Sequence, residues 1–417
     1  MNTLIDEYWE NYEDTDDIER GIYVILPLMY SGDFDSINID SSEKTSFESN
    51  DFTEVLAEKC KTDQFVKRFH INKTIDSSQY LPNAIIKDLQ LFVFSNNVSF
   101  LAVYFSYKNS DIHSIYKFFN PGYFSEEKDI LEKQKQFISN IYTEVFGDEN
   151  KFNWYVRQDA IYIIKEAYRL NVAKVDKRFQ ETGIVNQLTY NQHRMIDITR
   201  RFSDESELDV AYTSGARDVE DCLYGWGCCI TSQEISYTYK TGMDLLERVQ
   251  EDLLLTILVM YQRYTCFILN EEIHQRYKEN VHTKTMLELK TEALEFIAYG
   301  TLAPSQVSRW NNVCETYRHL IEMNGIDEAI EEIQQKITLL NEEQERIDAK
   351  REGLLGSIIA VFGLVSIIAA LLQTVDYVVN GGPIMVTWFI ISLLAIVLFS
   401  LVLLIIRFRR NKRRGDM

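Results

Sequence analysis

The C-terminal part of the chain lacks charge over a long stretch. Between Glu352 and Arg407 there is no Lys, Arg, Glu or His, and Asp376 is the single acid. Proline, which interrupts helices, is also scarce: the chain has five, and none lies in residues 325–375. Buried helices of a soluble core would have to lack charge over the same length and still be flanked by cations. These absences therefore favour a membrane segment.

Two apolar runs fill this stretch, at residues 354–372 and 386–406. A helix of about 20 residues spans a hydrocarbon core about 30 Å thick. Lys350 and Arg351 precede the first run. Six cations follow the second, namely Arg407, Arg409, Arg410, Lys412, Arg413 and Arg414. Because cytoplasmic flanks collect Lys and Arg, the pattern predicts a multi-pass hairpin in the lipid bilayer of the inner (plasma) membrane, with both termini cytoplasmic.

Basic residues are sparse ahead of this hairpin. The chain before residue 350 carries 35 Lys and Arg against 60 Asp and Glu. Such an acidic surface repels nucleic-acid phosphates, so nucleic acid is excluded as a general partner. The length and apolar content suffice for one or two packed cytosolic domains.

Motifs of enzymatic chemistry are missing as well. There is no phosphate-cradling glycine loop, no HExxH and no nucleophile elbow, so we expect no enzyme activity. The six cysteines form no CxxC pair, and on the cytosolic side we expect reduced, mostly buried thiols. A metal or redox role for Cys222, Cys228 and Cys229 is the alternative.

The N-terminal half, residues 1–235, reads as an acidic α+β cytosolic domain. Residues 21–30 predict a buried strand, and the polar residues 31–51 an exposed loop. Residues 89–95 and 98–107 predict a hairpin around Asn96 and Asn97, with Phe92, Phe94 and Phe100 on one face. Helices are expected at 126–147, 158–180 and 185–203, and residues 223–230 are expected to return to the sheet.

Residues 236–352 read as a helical stalk, with helices at 239–280, 283–298 and 305–323. The last helix begins near Gly325, and without proline it can continue through the first span for about 75 Å. Its apolar residues follow a 4-3 spacing, which is typical of a coiled-coil seam and offers a route to an oligomer. They are Ile326, Ile330, Ile333, Ile337, Leu340, Ile347 and Leu354, with Gln344 and Arg351 at the skipped positions.

The first span of the hairpin domain, residues 353–417, also carries a stripe of small residues. Its members are Gly353, Gly356, Ala360, Gly363 and Ala370, with Ser357 among the few polar groups at membrane depth. The stripe suits either close packing of the second span or the lining of a narrow pore. Since two spans cannot enclose a water-filled path, transport requires several copies around an axis.

The architecture of the whole chain resembles the CorA/ZntB family of two-span membrane proteins. The resemblance implies a homopentamer whose first spans line a pore, with a Tyr-Gly-Met-Asn motif at the outer end that helps to hold hydrated Mg²⁺. Here that place reads Tyr377-Val378-Val379-Asn380, so the Gly-Met pair is missing. Asn380 is the one residue that could take over the ion-binding role. Arg351 would oppose cation entry if it faces the axis, or would snorkel to lipid phosphate.

In its missing motif and its large N-terminal domain, the chain resembles the CorA-like effectors associated with type III CRISPR systems. That resemblance implies an ion channel in antiviral defence, opened by a nucleotide second messenger built from S-adenosylmethionine and AMP (SAM-AMP). The alternatives are a Mg²⁺ transporter of the family and a membrane-anchored scaffold. In each case the partners expected are the bilayer and, for the first two, four further copies of the chain.

A nucleotide-gated channel needs a cationic and aromatic pocket in this acidic domain. The candidate residues are Tyr190, His193, Arg194, Arg200 and Arg201, together with Phe202. Arg194 and Arg201 are seven apart and would share a helix face, where they could bind phosphate while an aromatic ring stacks a base. A solvated helix face paired with acidic neighbours is the alternative. Trp154 with Tyr155, or the Gly225-Trp226-Gly227 turn, could also supply the stacking surface.

Overall fold

The computed structural model describes residues 19–61, 64–108, 111–120, 127–147, 151–154, 167–175, 189–195, 211–214, 226–240, 244–278 and 283–379. Two compact units divide the chain, residues 1–337 and 338–417. The first unit is an α+β domain with a mixed sheet. The predicted boundary between residues 235 and 236 falls inside a strand of that sheet.

Ten strands among the described residues form one sheet in the order β2-β3-β4-β5-β1-β7-β10-β9-β8, with β6 paired to β1. Their bounds are β1 Glu19–Tyr30, β2 Ser42–Thr45, β3 Val66–Ile71, β4 Ala84–Phe94, β5 Val98–Lys108, β6 Phe152–Trp154, β7 Tyr168–Val175, β8 Ala211–Ser214, β9 Trp226–Ile230 and β10 Glu234–Lys240. Strands β7 and β10 run parallel, and the other described pairs are antiparallel.

The central strand β1 contains a proline, which has no N–H to donate to a neighbouring strand. On one side Pro27 lies opposite Phe100 of β5. On the other side the pairing with β7 ends at Ile25, and the pairing with β6 begins at Leu28. Pro27 therefore sits in the gap between two partner strands, where a ladder hydrogen bond is not required.

The predicted hairpin between β4 and β5 is confirmed. Asn97 has a φ of 68°, a left-handed conformation that asparagine tolerates in a tight turn. Phe92 pairs directly with Phe100, and Phe94 contacts Phe100 with ring centroids 6.2 Å apart. The three rings share one face of the sheet, as the alternation of the sequence indicated.

Helices cover both faces of the sheet. The described helices are α1 Glu54–Lys61, α2 Ile112–Phe119, α3 Glu127–Phe146, α4 Leu245–Lys278, α5 Thr283–Glu295, α6 Pro304–Val307, α7 Asn311–Met323 and α8 Ile326–Val379. On one face Phe105 of β5 contacts Phe119 of α2 and Phe137 of α3. On the other face Phe94 stacks on Tyr261 of α4 at 4.1 Å. The sheet is thus the middle layer of three.

The predicted helix over residues 158–180 is wrong, because residues 168–175 form strand β7. Leu170 and Val172 point to one buried face, while Arg169 and Asn171 point to the other, which is also buried. Arg169 and Asn171 contact Glu234 and Ser236 in a polar layer inside the protein.

Two smaller predictions are also corrected. The expected loop at 31–51 contains the edge strand β2, whose Ser42 pairs with Ile71 of β3. The single helix expected at 305–323 is divided into α6 and α7, since Ser308 forms an isolated bridge to Phe52. By contrast, α3 confirms the helix predicted at 126–147, and β9 confirms the return to the sheet for residues 226–230 of the predicted 223–230.

The prediction of one long helix from Gly325 into the apolar stretch is confirmed by α8, which is continuous over 54 residues. Its first seam residues have another use than the one predicted. Ile326, Ile333 and Ile337 are buried within their own chain, and Lys336 Nζ donates to Asn270 Oδ1 of α4 at 3.0 Å. These isoleucines are therefore not available for a seam with another copy. The second predicted span, 386–406, lies outside the described residues.

Candidate functional site

One face of the sheet changes from apolar to polar between β1 and β7. Under α2 and α3 this face is built from residues such as Ile22 and Val24, whose partners on β7 are Asn171 and Arg169. The polar half then continues onto β10, where Glu234, Ser236 and Thr238 pair with β7. All of them except Arg169, whose side chain is 14% exposed, are buried. Buried polar groups need partners, so this half of the sheet requires a polar cover.

A helical turn at residues 189–194 supplies part of that cover. Thr189 Oγ1 donates to Thr238 Oγ1 at 2.7 Å, and His193 Nδ1 lies 3.2 Å from Ser236 Oγ. The turn ends at Met195, which has a φ of 45°. A left-handed residue at that position stops a helix. We call the side chains joined here, on β7, β10 and residues 189–195, the polar cluster.

An ion pair lies at the centre of the polar cluster. Arg169 Nη2 is 3.1 Å from Glu234 Oε2, and Asn171 Nδ2 donates to the same oxygen at 3.5 Å. Burial raises the pKa of the Glu234 carboxyl, and the positive charge of Arg169 partly offsets this rise. Burial, with Arg169 nearby, lowers the pKa of His193 to about 3, so its imidazole is neutral at physiological pH. Arg169 and Glu234 thus form a cation–anion pair, and a second cation, the buried Arg20 of β1, donates from Nη1 to Gln192 Oε1 at 3.5 Å.

Several polar atoms of the cluster have unused hydrogen-bonding capacity. Asn171 Oδ1, Gln192 Nε2, His193 Nε2 and Arg169 Nε are buried without a hydrogen-bond partner. An unmade hydrogen bond of a buried group costs about 1–3 kcal/mol. The unpaired atoms belong to two amide groups, an imidazole and a guanidinium, and they include both donors and acceptors.

The structure divides the sequence-predicted ligand residues. Tyr190 and His193 are buried, and Arg194 is exposed with its guanidinium carbon 6.0 Å from the centre of the Tyr190 ring. Arg200 and Arg201 lie outside the described residues. The described helical turn ends at Met195, and the prediction that Arg194 and Arg201 share a helix face lies outside the described residues. A solvated helix face is wrong for this turn, apart from Arg194.

Sequence reasoning missed the strand residues of the cluster. Arg169 and Asn171 on β7, and Glu234 and Ser236 on β10, lie more than 60 residues apart between strands. The signal that could have found them is the period of two, in which polar residues alternate with buried apolar ones.

The other stacking surfaces proposed from sequence are not open platforms as far as they are described. The Trp154 ring is partly buried and lies 4.9 Å from the Tyr142 ring. Tyr155 and Gly225 lie outside the described residues.

Within the described part of the chain, no group of three or more His, Cys, Asp or Glu is arranged to hold a metal ion. Of the cysteines described, Cys60, Cys228, Cys229 and Cys266 are buried as expected; Cys222 is not described.

The apolar part of α8 is a second feature with functional meaning. Its large side chains face outward, with Ile359 and Phe362 each 70% exposed. A Cβ placed on Gly353, Gly356 or Gly363 would meet no atom within 4 Å. Ala360 and Arg351 are exposed as well. The small-residue stripe is thus open in the described chain.

The polar groups of this part of α8 are held by the helix itself. The hydroxyl of Ser357 donates to the carbonyl of Gly353 at 2.8 Å, and Ser366 donates in the same way to Phe362. Such bonds satisfy a hydroxyl without a partner outside the helix. Tyr377 is 64% exposed near the end of α8, and Asn380 lies just outside the described residues.

Two described helices are long and apolar enough to cross a membrane, α4 over Leu245–Gln275 and α8 over Ile326–Tyr377. In α4 most of the apolar stretch is buried, whereas in α8 none of it is.

No protein-family model matches this chain, and no curated protein is similar to it at a significant level. Its function therefore rests on these two features, the polar cluster and the apolar part of α8.

Proposed function

We propose that this chain is the subunit of a CorA-like membrane channel that opens in response to a nucleotide second messenger such as SAM-AMP, in antiviral defence of the type III CRISPR kind. The observation that carries the membrane part is the apolar stretch of α8, in which no described side chain is buried. The same proposal takes the chain to be a channel without enzyme activity.

The exposed side chains of α8 need a non-aqueous environment. Burying one large aliphatic side chain is worth about 1.5–3 kcal/mol, and more than ten such residues between Leu354 and Val379 are exposed. In water the helix would associate without specificity. A bilayer accommodates it, since all of its backbone hydrogen bonds are made within the helix.

A channel requires several copies, and we propose the pentamer of the CorA-like family. We place the stripe of Gly353, Gly356 and Gly363, with Ser357 and Ala360, along the narrow part of the path, because small side chains leave room at the axis between closely spaced first spans. Arg351 would lie at the inner mouth, and Tyr377 with Asn380 at the outer one.

The polar cluster supports a ligand-gated channel. Its unpartnered amide and imidazole atoms are suited to the edge of a nucleobase, which presents donors and acceptors in a fixed pattern. Arg194 is an exposed cation beside the cluster and suits a phosphate. The backbone carbonyl of Arg194 accepts from Asn120 Nδ2 at 3.1 Å, which ties the end of the turn to the end of α2.

The test is ion flux from liposomes that contain the full chain, with and without SAM-AMP or Mg²⁺. The proposal expects flux on addition of the nucleotide, and loss of that response in the variant Arg194→Ala combined with Gln192→Leu. Lys117→Ala, at a cation on α2, is the matched control and should keep the response. Flux that depends on Mg²⁺ and ignores the nucleotide would overturn ligand gating.

Mg²⁺ transport is the second candidate function. Tyr377 and Asn380 match two of the four residues at the outer mouth of family members, and this is the feature that favours it. Under this candidate Asn380→Ala abolishes selectivity for Mg²⁺, and an unchanged ion preference would remove the residue from the site. Absence of flux under every condition would instead favour a membrane-anchored scaffold.

A further inference from the structure

The turn between β9 and β10 is bonded directly to the ion pair of the polar cluster. Glu234 is the first residue of β10, and the turn, residues 231–233, immediately precedes it. The backbone N–H of Thr231 donates to the Glu234 carbonyl at 2.9 Å. The backbone N–H of Arg169 donates to the Gln233 carbonyl at 3.1 Å. Both members of the ion pair are thus tied to this turn through their backbones.

The same turn is joined to the start of α8 by one side chain of α4. Arg263 Nη1 donates to the Ser232 carbonyl at 2.5 Å and to Asn324 Oδ1 at 2.9 Å. Asn324 follows the last residue of α7, and α8 begins two residues later at Ile326. The guanidinium therefore bridges the turn beside the cluster and the junction from which α8 starts.

The junction between α7 and α8 is held by its own hydrogen bonds. Gly325 has a φ of 60°, the left-handed conformation that ends α7, and its N–H donates to the Glu322 carbonyl at 3.0 Å. Asn324 Nδ2 donates to the Leu320 carbonyl at 2.8 Å. The Gly325 carbonyl accepts from the N–H of Ala329 in α8 at 3.1 Å. A displacement of Asn324 is therefore expected to displace the first turn of α8.

Arg263 has hydrogen-bonding capacity that its described contacts do not use. Both of its hydrogen bonds come from Nη1, whereas its buried Nε has no hydrogen-bond partner. A buried N–H without an acceptor is unfavourable, so a shift of the turn that brought a carbonyl to Nε would gain a hydrogen bond. The guanidinium can thus hold the turn in more than one position.

We propose that Arg263 is the positioning residue through which a ligand in the polar cluster acts on α8. A ligand that changes the hydrogen bonds of Glu234 moves the turn, and Arg263 carries this movement to Asn324. Helix α8 is continuous over Ile326–Val379 and carries the movement into its apolar part. This inference rests on the proposed ligand-gated channel and adds the route by which the ligand opens it.

The variant that tests the route is Arg263→Met, which removes both hydrogen bonds. Methionine keeps an apolar side chain beside the Phe267 ring, whose centre is 5.4 Å from the guanidinium carbon. The turn retains the hydrogen bond from the Tyr168 hydroxyl to the Thr231 carbonyl at 3.1 Å, so we expect the variant to fold. Arg318→Met, at an exposed arginine of α7, is the matched control.

Ion flux and nucleotide binding distinguish a positioning role from a structural one. In liposomes that contain the full chain, Arg263→Met should lower the flux evoked by saturating SAM-AMP at least about fivefold. Calorimetric titration should give an unchanged or higher affinity for the nucleotide, because binding no longer has to drive α8. Arg318→Met should change neither quantity. Unchanged flux in Arg263→Met, or a loss of flux together with weaker nucleotide binding, would overturn the proposal.

A measurement without nucleotide tests the same route independently. Hydrogen exchange of the full chain in dodecyl maltoside reports on the amides of residues 329–337 in α8. Glu234→Gln alters the polar cluster and should speed this exchange at least about fivefold when Arg263 is present, but less than about twofold in the Arg263→Met background. Arg169→Lys keeps the charge of the ion pair and replaces Glu234→Gln if that variant does not fold.

The two experiments separate failure of this route from failure of the proposed function. Exchange that depends on Arg263, in a chain without nucleotide-evoked flux, would support the route and contradict nucleotide gating. Flux on addition of SAM-AMP, with equal changes of exchange in both backgrounds, would overturn the route and leave the proposed function standing.

Discussion

Helices α4 and α8 both pass a test of length and apolarity for crossing a membrane, yet their side chains lie in opposite environments. The apolar stretch of α4 has a mean hydropathy of 1.3 and is 83% buried. That of α8 has a mean hydropathy of 2.6, and none of it is buried. Apolarity shows that a helix needs a non-aqueous neighbour, and burial shows whether the protein already provides one.

The charged residues of the two helices explain the difference. In α4 each charge that faces the protein has a partner: Arg248 pairs with Asp252 at 3.4 Å, and Arg263 Nη1 donates to Asn324 Oδ1 at 2.9 Å. Burial raises the pKa of the Asp252 carboxyl to about 6, although Arg248 opposes the shift. From Gly353 to Val375, α8 has no charge to pair. Paired charges thus mark a helix built for a protein interior.

The largest expected effect comes from shortening an apolar side chain in each helix. Leu258 of α4 is fully buried, and Leu258→Ala should lower the free energy of unfolding of the first unit by about 2–5 kcal/mol. Ile359 of α8 is 70% exposed, and Ile359→Ala should change it by less than about 0.5 kcal/mol. Urea unfolding followed by near-ultraviolet circular dichroism measures both. Similar losses of unfolding free energy in the two variants would contradict the difference in burial between the two helices.

A charge in the middle of α8 should act on insertion and not on folding. Val365→Lys should disfavour insertion of the first span by about 2.5–3.5 kcal/mol, the cost of a lysine at the centre of a membrane helix. Insertion is measured as labelling, from outside intact cells, of a cysteine introduced at Gly382. Phe267→Lys, at a half-exposed position of α4, is the control and should leave the labelling unchanged. Full labelling of the Val365→Lys variant would contradict a lipid-facing α8.

A smaller effect is expected on the pH dependence of the stability of the first unit, through the buried His193. The pKa of His193 is lowered to about 3 in the folded chain, against about 6.5 when unfolded. Above the unfolded pKa the histidine has no effect, and as pH falls below it only the unfolded chain takes up the proton. Stability should therefore fall by up to about 1.4 kcal/mol per pH unit between about 6.5 and 3 on account of this group.

The matched variant for that prediction is His193→Asn, which keeps polarity without titrating. Its unfolding free energy should lose less between pH 7 and pH 5 than that of the natural chain. Identical pH slopes for the two chains would show that His193 is not held neutral in the polar cluster.

Much of the fold could be predicted from local sequence. The apolar run of β1, the Asn96-Asn97 turn, the period of α3 and the unbroken apolar pattern of α8 each report on their own neighbourhood. Strand β7 shows the period of two, but its local pattern does not tell that its polar side is enclosed. Arg169 and Asn171 contact Glu234 and Ser236, which come from a strand about 65 residues further along the chain.

The candidate sites were less predictable for the same reason. Tyr190 and His193 were predicted to belong to a cationic and aromatic ligand pocket, and their side chains are buried. A site built from distant elements becomes visible only when the register of the sheet and the packing of the helices are known.

The central claim is that the exposed apolar part of α8 crosses the membrane while α4 stays in the protein interior. The most direct measurement is labelling of single cysteines introduced at Gly382 and Gly415 with a membrane-impermeant maleimide. The account predicts that Gly382→Cys is labelled from outside intact cells, and that Gly415→Cys is labelled only after lysis. Labelling of both positions only after lysis, with the chain in the soluble fraction, would contradict it.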